Sequence, residues 1–191
     1  MTSQLNQLIR KAEPKDLDSI LDIYNHYVLS TPLSFDTERQ TTQMRKAWFE
    51  SFFPNPKECQ KTVSLCPYIL LVAENSNPVG AGPAVVGYAA SQPFRSKPAF
   101  DTSVETSVYC HPQHLGQGVG KALYQNLIEQ LRTKPLHRAY GFITIPNDPS
   151  IRLHMRLGFK QAGVLKQSGF KFSKYWDVSI FELDLSAEDS R

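Results

Sequence analysis

The residues able to do chemistry concentrate in one stretch, Val104 to Lys121, which reads V-E-T-S-V-Y-C-H-P-Q-H-L-G-Q-G-V-G-K. Glycines alternate at Gly116, Gly118 and Gly120, and an apolar series at helical spacing follows (Val119, Ala122, Leu123, Leu127, Ile128, Leu131). A glycine-rich turn that opens a helix aims several backbone N–H groups at one point, at the positive end of the helix dipole. That is an anion site, most often for phosphate. Ahead of it stand a carboxylate, Glu105, that could take a proton, and a thiol, Cys110; well after it stands an imidazole, His154. Two nucleotide readings of the glycines fail. A Walker A loop needs glycine where the chain has Leu115 and a hydroxyl where it has Ala122, and a dinucleotide fingerprint needs its third glycine at Lys121.

The surrounding pattern supplies elements to hold these groups. Val104, Thr106, Val108 and Cys110 alternate with Glu105, Ser107 and Tyr109, the period of a strand. Leu8–Ala12, Tyr68–Glu74, Val85–Ser91, Arg138–Ile145, Gly163–Phe172 and Trp176–Leu185 also read as strands. Helices are predicted after Glu13-Pro14 (stripe Leu17, Ile20, Leu21, Tyr24, Tyr27, Val28), over Thr42–Phe53, from Val119 to near Thr133, and over Ile151–Leu157. The last has Asp148 as its expected N-cap, Pro149 in its first turn and Gly158 as its stop. Proline-rich 54–67 reads as a loop, and 75–83 as a long hairpin turn. The expected fold is a mixed, mostly antiparallel α/β (α+β) sheet of about seven strands flanked by about four helices. It forms one domain over 8–186, with flexible ends at 1–7 and 187–191.

Composition narrows the function classes. At 191 residues, 41% hydrophobic and 20% charged, the chain can build a substantial core. A net charge of +3 with dispersed basic residues gives no case for nucleic acid or a membrane surface. No apolar run approaches the ~20 residues of a membrane span. Cys59, Cys66 and Cys110 are odd in number and lack metal-site spacing; His111 and His114 straddle a proline turn and read as surface residues, so no metal is expected. Free cysteines without a signal peptide place the chain in the cytosol, with nucleus or organelle as alternatives.

Taken together, the motifs resemble those of the GCN5-related N-acetyltransferases (GNAT). V-Y-C-H-P-Q-H-L-G-Q-G-V-G-K-A-L is similar to their motif A and N-D-P-S-I-R-L-H-M-R-L-G-F to their motif B. N-H-Y-V-L-S-T-P-L-S-F-D-T-E, V-E-T-S-V-Y and Y-W-D-V extend the resemblance toward the phosphinothricin acetyltransferase branch, over roughly Ile9 to Leu185. The resemblance implies a GNAT fold that binds acetyl-CoA as co-substrate and passes acetyl directly, in a ternary complex, to the amine of a small amino-acid-like acceptor, in a homodimer.

It also implies residue roles. The backbone of Leu115, Gly116, Gln117, Gly118, Val119, Gly120 and Lys121 would cradle the CoA pyrophosphate. Leu115 stands where the family usually has Arg or Gln, so that side chain's help is lost. Val108, Tyr109 and Cys110 would pair with the pantetheine arm and polarise the acetyl carbonyl, and Asn147 would contact the same arm. Glu105 would be the base and His154 the partner of the departing thiolate; read without the family, they are a solvated or ion-paired carboxylate and a core-edge histidine. Asn147 alone reads as turn chemistry. Cys110, with no base adjacent in sequence, is expected to be buried rather than nucleophilic. Phe35, Phe94, Lys97 and Phe100 would line the acceptor pocket, and Lys97, where the branch often has Arg, keeps the charge without the bidentate fork. Two other functions share these motifs: an acyl-CoA-binding module without turnover, and an enzyme acetylating protein or peptide amines.

Overall fold

The structure, a computed structural model, describes residues 7–53, 68–75 and 84–186. The loop at 54–67 with Cys59 and Cys66, most of the turn at 75–83 and the ends at 1–6 and 187–191 lie outside the described residues.

The predicted order of elements holds. In chain order they are β1 (Gln7–Lys11), α1 (Leu17–Ser30), α2 (Thr42–Glu50), β2 (Leu70–Asn75), β3 (Val85–Pro93), β4 (Ser103–Cys110), α3 (Val119–Arg132), β5 (Arg138–Ile145), α4 (Asp148–Arg156), β6 (Lys160–Lys171) and β7 (Lys174–Asp184). The strands form one sheet in the order β1-β2-β3-β4-β5-β7-β6. Every adjacent pair is antiparallel except β4 and β5. No helix among the described residues is long and apolar enough to cross a membrane.

Each face of the sheet carries its own core. On one, α3 buries Val119, Leu123, Tyr124, Leu127 and Leu131 against Leu71, Ala73, Ala89, Val104, Ala139 and Ile143, with Ile151, Leu153 and Leu157 packed alongside. Burying each large aliphatic side chain contributes about 1.5–3 kcal/mol, so this stripe is what fixes α3 to the sheet. On the other, Ile20, Ile23, Tyr27, Phe49 and Phe52 cover Leu70, Val72, Val85, Tyr88 and Ala90. Alternation along β4 therefore divides its side chains: Val104 and Thr106 lie buried under α3, while Tyr109 joins the α1 side.

One boundary differs in kind. The N-cap of α4 is Asn147, not Asp148: the Asn147 side chain accepts from the Ser150 N–H at 3.3 Å, and Asp148 and Pro149 sit in the first turn. Both residues can cap, and Pro149 is tolerated at either of the first two helical positions, so the sequence admits both frames.

Candidate active site

The site begins where two strands part. β4 and β5 pair only over Ser103–Arg138, Val104–Ala139 and Glu105–Tyr140. Beyond that point β4 stays with β3 as far as Cys110–Gly87, and β5 stays with β7 as far as Ile145–Asp177. The result is a wedge that opens toward the turns leading into α3 and α4. His111 N–H donates to the Val86 carbonyl at 2.8 Å. Hydrogen-bonded pairs recur at every second residue of an antiparallel ladder, so Tyr109 and Ser107 bond toward β3, while the main chain of Thr106, Val108 and Cys110 faces the wedge. The Cys110 carbonyl is occupied by the Tyr27 hydroxyl at 2.7 Å. Val108 and Cys110 thus present N–H groups where an extended ligand could add as a strand. Tyr109 does not: its main chain serves Tyr88, and its ring stands on the α1 face among Tyr24, Tyr27 and Tyr88. Burial pushes the Cys110 thiol up to about 11, which keeps it protonated and unreactive.

The glycine turn has the expected form. Gly116 and Gly118 hold φ of +74° and +83°, and neither has any atom within 4 Å of where a Cβ would stand. They are required by conformation, not by crowding. Gly118 is the N-cap of α3, and no side chain caps that helix, so its first N–H groups point to the turn's concavity. Leu115 is exposed on the rim. Gln117 is spent on the turn itself: its Oε1 meets His114 Nδ1 at 3.1 Å and its Nε2 donates to the Gln113 carbonyl at 3.1 Å. An anion here meets main-chain donors rather than side chains.

Glu105 lies half-buried on the α1 side of the wedge. Burial raises its pKa, opposed by the positive charge of Arg95. Among the described residues it makes no hydrogen bond or ion pair, which disfavours the ion-paired reading. Its wall is aromatic: Phe94 stacks on Tyr140 at 4.3 Å and Phe142 at 6.4 Å, and the Arg95 guanidinium lies over Phe94 at 4.2 Å. Arg95, missed in the sequence because an exposed loop arginine reads as solvated, is the cation Glu105 feels; Lys97 is exposed and exerts no such pull. Phe100 packs edge-on against Phe94 at 5.8 Å. Phe35 belongs to the α1–α2 loop and lies against Gly169 of β6.

His154 is on the opposite side, under α3. It is 4% exposed, and burial drops its pKa to about 4. Both ring nitrogens are engaged, Nδ1 with the Ser150 carbonyl at 2.8 Å and Nε2 with the Tyr124 hydroxyl at 3.0 Å. The Tyr124 hydroxyl thus stands between the imidazole and Thr106 of β4, from which it is 2.8 Å. The signal for Tyr124 was its place in a wholly apolar helix stripe, where a buried phenol must find a polar partner. Glu105 and His154, the two residues expected to be catalytic, sit on different faces of the sheet.

A phosphate-type cradle, a wedge able to take an extended arm as an added strand, and a carboxylate beside it define an enzyme that transfers a group from a long, phosphate-bearing carrier. A sequence model of the Acetyltransferase (GNAT) family matches residues 20–159. The chain is 42% identical over 177 residues to a phosphinothricin N-acetyltransferase of Streptomyces coelicolor, covering 93% of this chain and 95% of that protein. It is 35% identical over 177 residues to an L-methionine sulfoximine/L-methionine sulfone acetyltransferase of Salmonella typhimurium, covering 93% and 94%. Its fold superimposes with a TM-score of 0.82 on a GNAT superfamily phosphinothricin acetyltransferase of Sinorhizobium meliloti in complex with acetyl-CoA, at 26% identity over 97% of this chain and 91% of that one. The chain belongs to the GNAT family. It is an N-acetyltransferase with acetyl-CoA as its co-substrate, and the uncapped helix and open β4 edge fit that molecule's phosphates and amide-bearing arm.

Proposed function

We propose that the enzyme acetylates the α-amine of a small amino-acid-like acceptor, of the kind named for its phosphinothricin and methionine sulfoximine/sulfone relatives. Acetyl passes directly from acetyl-CoA in a ternary complex. The observation that carries this reading is Glu105, a half-buried carboxylate of raised pKa without a hydrogen-bonding or ion-pairing partner among the described residues, with Arg95 in its field. An α-ammonium has pKa ~8 and must lose a proton before it attacks. Glu105, more basic than an exposed carboxylate, takes that proton, directly or through water. Arg95, with Lys97 beyond it, supplies positive charge for the acceptor's acid group, and Phe35 and Phe94 enclose its side chain.

The N–H groups of Val108 and Cys110 serve the co-substrate's arm and polarise the carbonyl, with Asn147 at its flank. The turn from Leu115 to Lys121 holds the pyrophosphate, and His154 serves the thiolate side. A homodimer in the cytosol completes the reading; the exposed rings of Phe170, Phe172 and Tyr175 on the β6–β7 hairpin are surface that a second copy would cover. The test is thiol release from acetyl-CoA with phosphinothricin, methionine sulfone, methionine sulfoximine, ordinary amino acids and a peptide amine. Turnover confined to the small zwitterions is expected. Turnover only with the peptide, or acetyl-CoA binding with no turnover on any amine, overturns the reading.

A further inference from the structure

β4 ends at Cys110, and three layers of the fold meet on that residue. Its side chain lies under the first turn of α3, where a Cβ on Gly120 would stand 3.2 Å from the sulfur. Gly87, its partner on β3, leaves α3 room to come down at the same point. A Cβ there would stand 3.0 Å from side-chain carbons of Leu123 and Val119 and from the Tyr109 carbonyl. From the opposite face α1 reaches in with Tyr27, whose hydroxyl donates to the Cys110 carbonyl at 2.7 Å. The N–H of the same peptide group, on His111, donates to the Val86 carbonyl at 2.8 Å. The Cys110–His111 peptide is thus gripped at both ends, by α1 and by the chain of β3. Tyr27 is 8% exposed, and burial pushes its phenol up to about 12, so it stays a neutral donor at working pH.

What lies on either side of that peptide gives the grip a purpose. Upstream are Val108 and Cys110, whose N–H groups face the wedge. Downstream is the turn that carries the anion cradle, and it is braced within itself. His114 N–H donates to the His111 carbonyl at 2.8 Å, Gln113 N–H to His111 Nδ1 at 3.3 Å, and Gln117 Nε2 to the Gln113 carbonyl at 3.1 Å. Pro112, at the start of that turn, has its own φ fixed by its ring. Strand edge and turn are therefore two stiff pieces joined at the Cys110–His111 peptide. The apolar stripe of α3 fixes the helix along the sheet; the direction in which the turn leaves β4 is set at this joint.

We propose that Tyr27 is a positioning residue for acetyl-CoA. Its bond to the Cys110 carbonyl holds the strand edge that takes the arm in register with the turn that takes the pyrophosphate. The inference rests on the placement of arm and pyrophosphate proposed above. Acetyl-CoA is one molecule held at two places, so it gains over its separate halves when both places are met at once. A small misfit between them loses part of that gain while each place still binds its own half. The Tyr27 ring serves the core, standing edge-on to Tyr109 at 5.2 Å, and removing the oxygen alone leaves that packing in place. Tyr27 acts through Cys110, not on the reacting atoms.

Tyr27→Phe tests this, with Tyr24→Phe as its control. Tyr24 belongs to the same aromatic cluster, but its hydroxyl bonds Asp36 and Ser34 rather than β4. Calorimetry with acetyl-CoA, and its displacement by pantetheine and by the nucleotide diphosphate half of the molecule, give three affinities for each protein. Y27F should raise the Kd for acetyl-CoA about five- to tenfold, the loss expected of one neutral hydrogen bond, and change that of each half by less than about twofold. KM for acetyl-CoA should rise with the Kd, while kcat at saturation stays within about twofold. Y24F should leave the Kd for acetyl-CoA unchanged. An unchanged Kd in Y27F overturns the proposal. So does an equal weakening of the whole and its halves, which a merely structural loss would give, and so does the same loss in Y24F. If neither half displaces acetyl-CoA from the wild type, the placement itself is wrong and the proposal falls with it; the other outcomes overturn the proposal with the placement intact.

Discussion

The Lys171 ammonium donates to the main-chain carbonyl of Ser34 at 2.6 Å, tying the far end of the β6–β7 hairpin to the loop between α1 and α2. Ser34 in turn bonds the Tyr24 hydroxyl at 2.9 Å, and Tyr24 donates to Asp36 at 2.7 Å. The same loop sets Phe35 on Gly169, where the ring occupies the space a Cβ would need. Gly169→Ala must therefore displace Phe35. The expected result is a KM for the acceptor raised several-fold with KM for acetyl-CoA unchanged, read from steady-state kinetics with each substrate varied. Equal changes in both would remove Phe35 from the acceptor side.

Glu105 gives a second prediction. Its pKa lies above the ordinary carboxylate value, because burial disfavours the charged form. The base works only when ionised, so kcat/KM should fall as pH drops through a midpoint above that of an exposed glutamate. Glu105→Gln should lower kcat by about 10²–10⁴-fold and abolish that acid limb. A variant with full activity between pH 6 and 9 would remove Glu105 from the reaction.

His154 makes a prediction about stability. Its folded pKa of about 4 lies below the ordinary 6.5. Between those values the unfolded chain binds a proton that the folded chain refuses, so stability falls as pH is lowered from 6.5 to 4 and the loss is complete below 4. The contribution is about 3 kcal/mol at most. Denaturant titrations at pH 7 and pH 4.5 should show a smaller loss for His154→Gln than for the wild type; equal losses would mean that the imidazole is already charged in the fold.

Gly118 makes the fourth. An alanine at φ +83° costs about 1–2 kcal/mol in the left-handed region, at the residue that aims the first N–H groups of α3. Gly118→Ala should raise the Kd for acetyl-CoA, measured by calorimetry, while the acceptor's KM stays near the wild-type value.

Periodicity carried most of the fold. The apolar stripe of α3 and the alternation in β4 are local patterns, and both appear where they were expected. The parting of β4 from β5 was not legible, because it depends on which strands meet, and pairing partners are set by contacts distant in sequence. Gly116 and Gly118 were legible because a turn requires them, whereas Gly141 was not: a glycine inside a strand signals a close approach without naming the group that approaches. Thr106 and Tyr124 looked like ordinary members of a strand and a helix. Only the fold brings their hydroxyls, 18 residues apart in sequence, to 2.8 Å of each other. Asn147 illustrates the reverse case: by itself it reads as turn chemistry, with Asp148 as the cap, and in the fold its side-chain oxygen takes the capping role from Asp148.

Because Glu105 and Thr106 are neighbours on one strand, their side chains leave the sheet in opposite directions. The residues proposed above to select the amine — Phe35, Phe94, Arg95, Lys97 — sit in connecting segments on Glu105's side or its rim, while Thr106, Tyr124 and His154 are built into strands and helices behind the other face. Connecting segments tolerate substitution far better than packed elements do. Descendants of this sequence can thus drift toward new amines by changing one half of the molecule, with the packed half around His154 inherited unchanged.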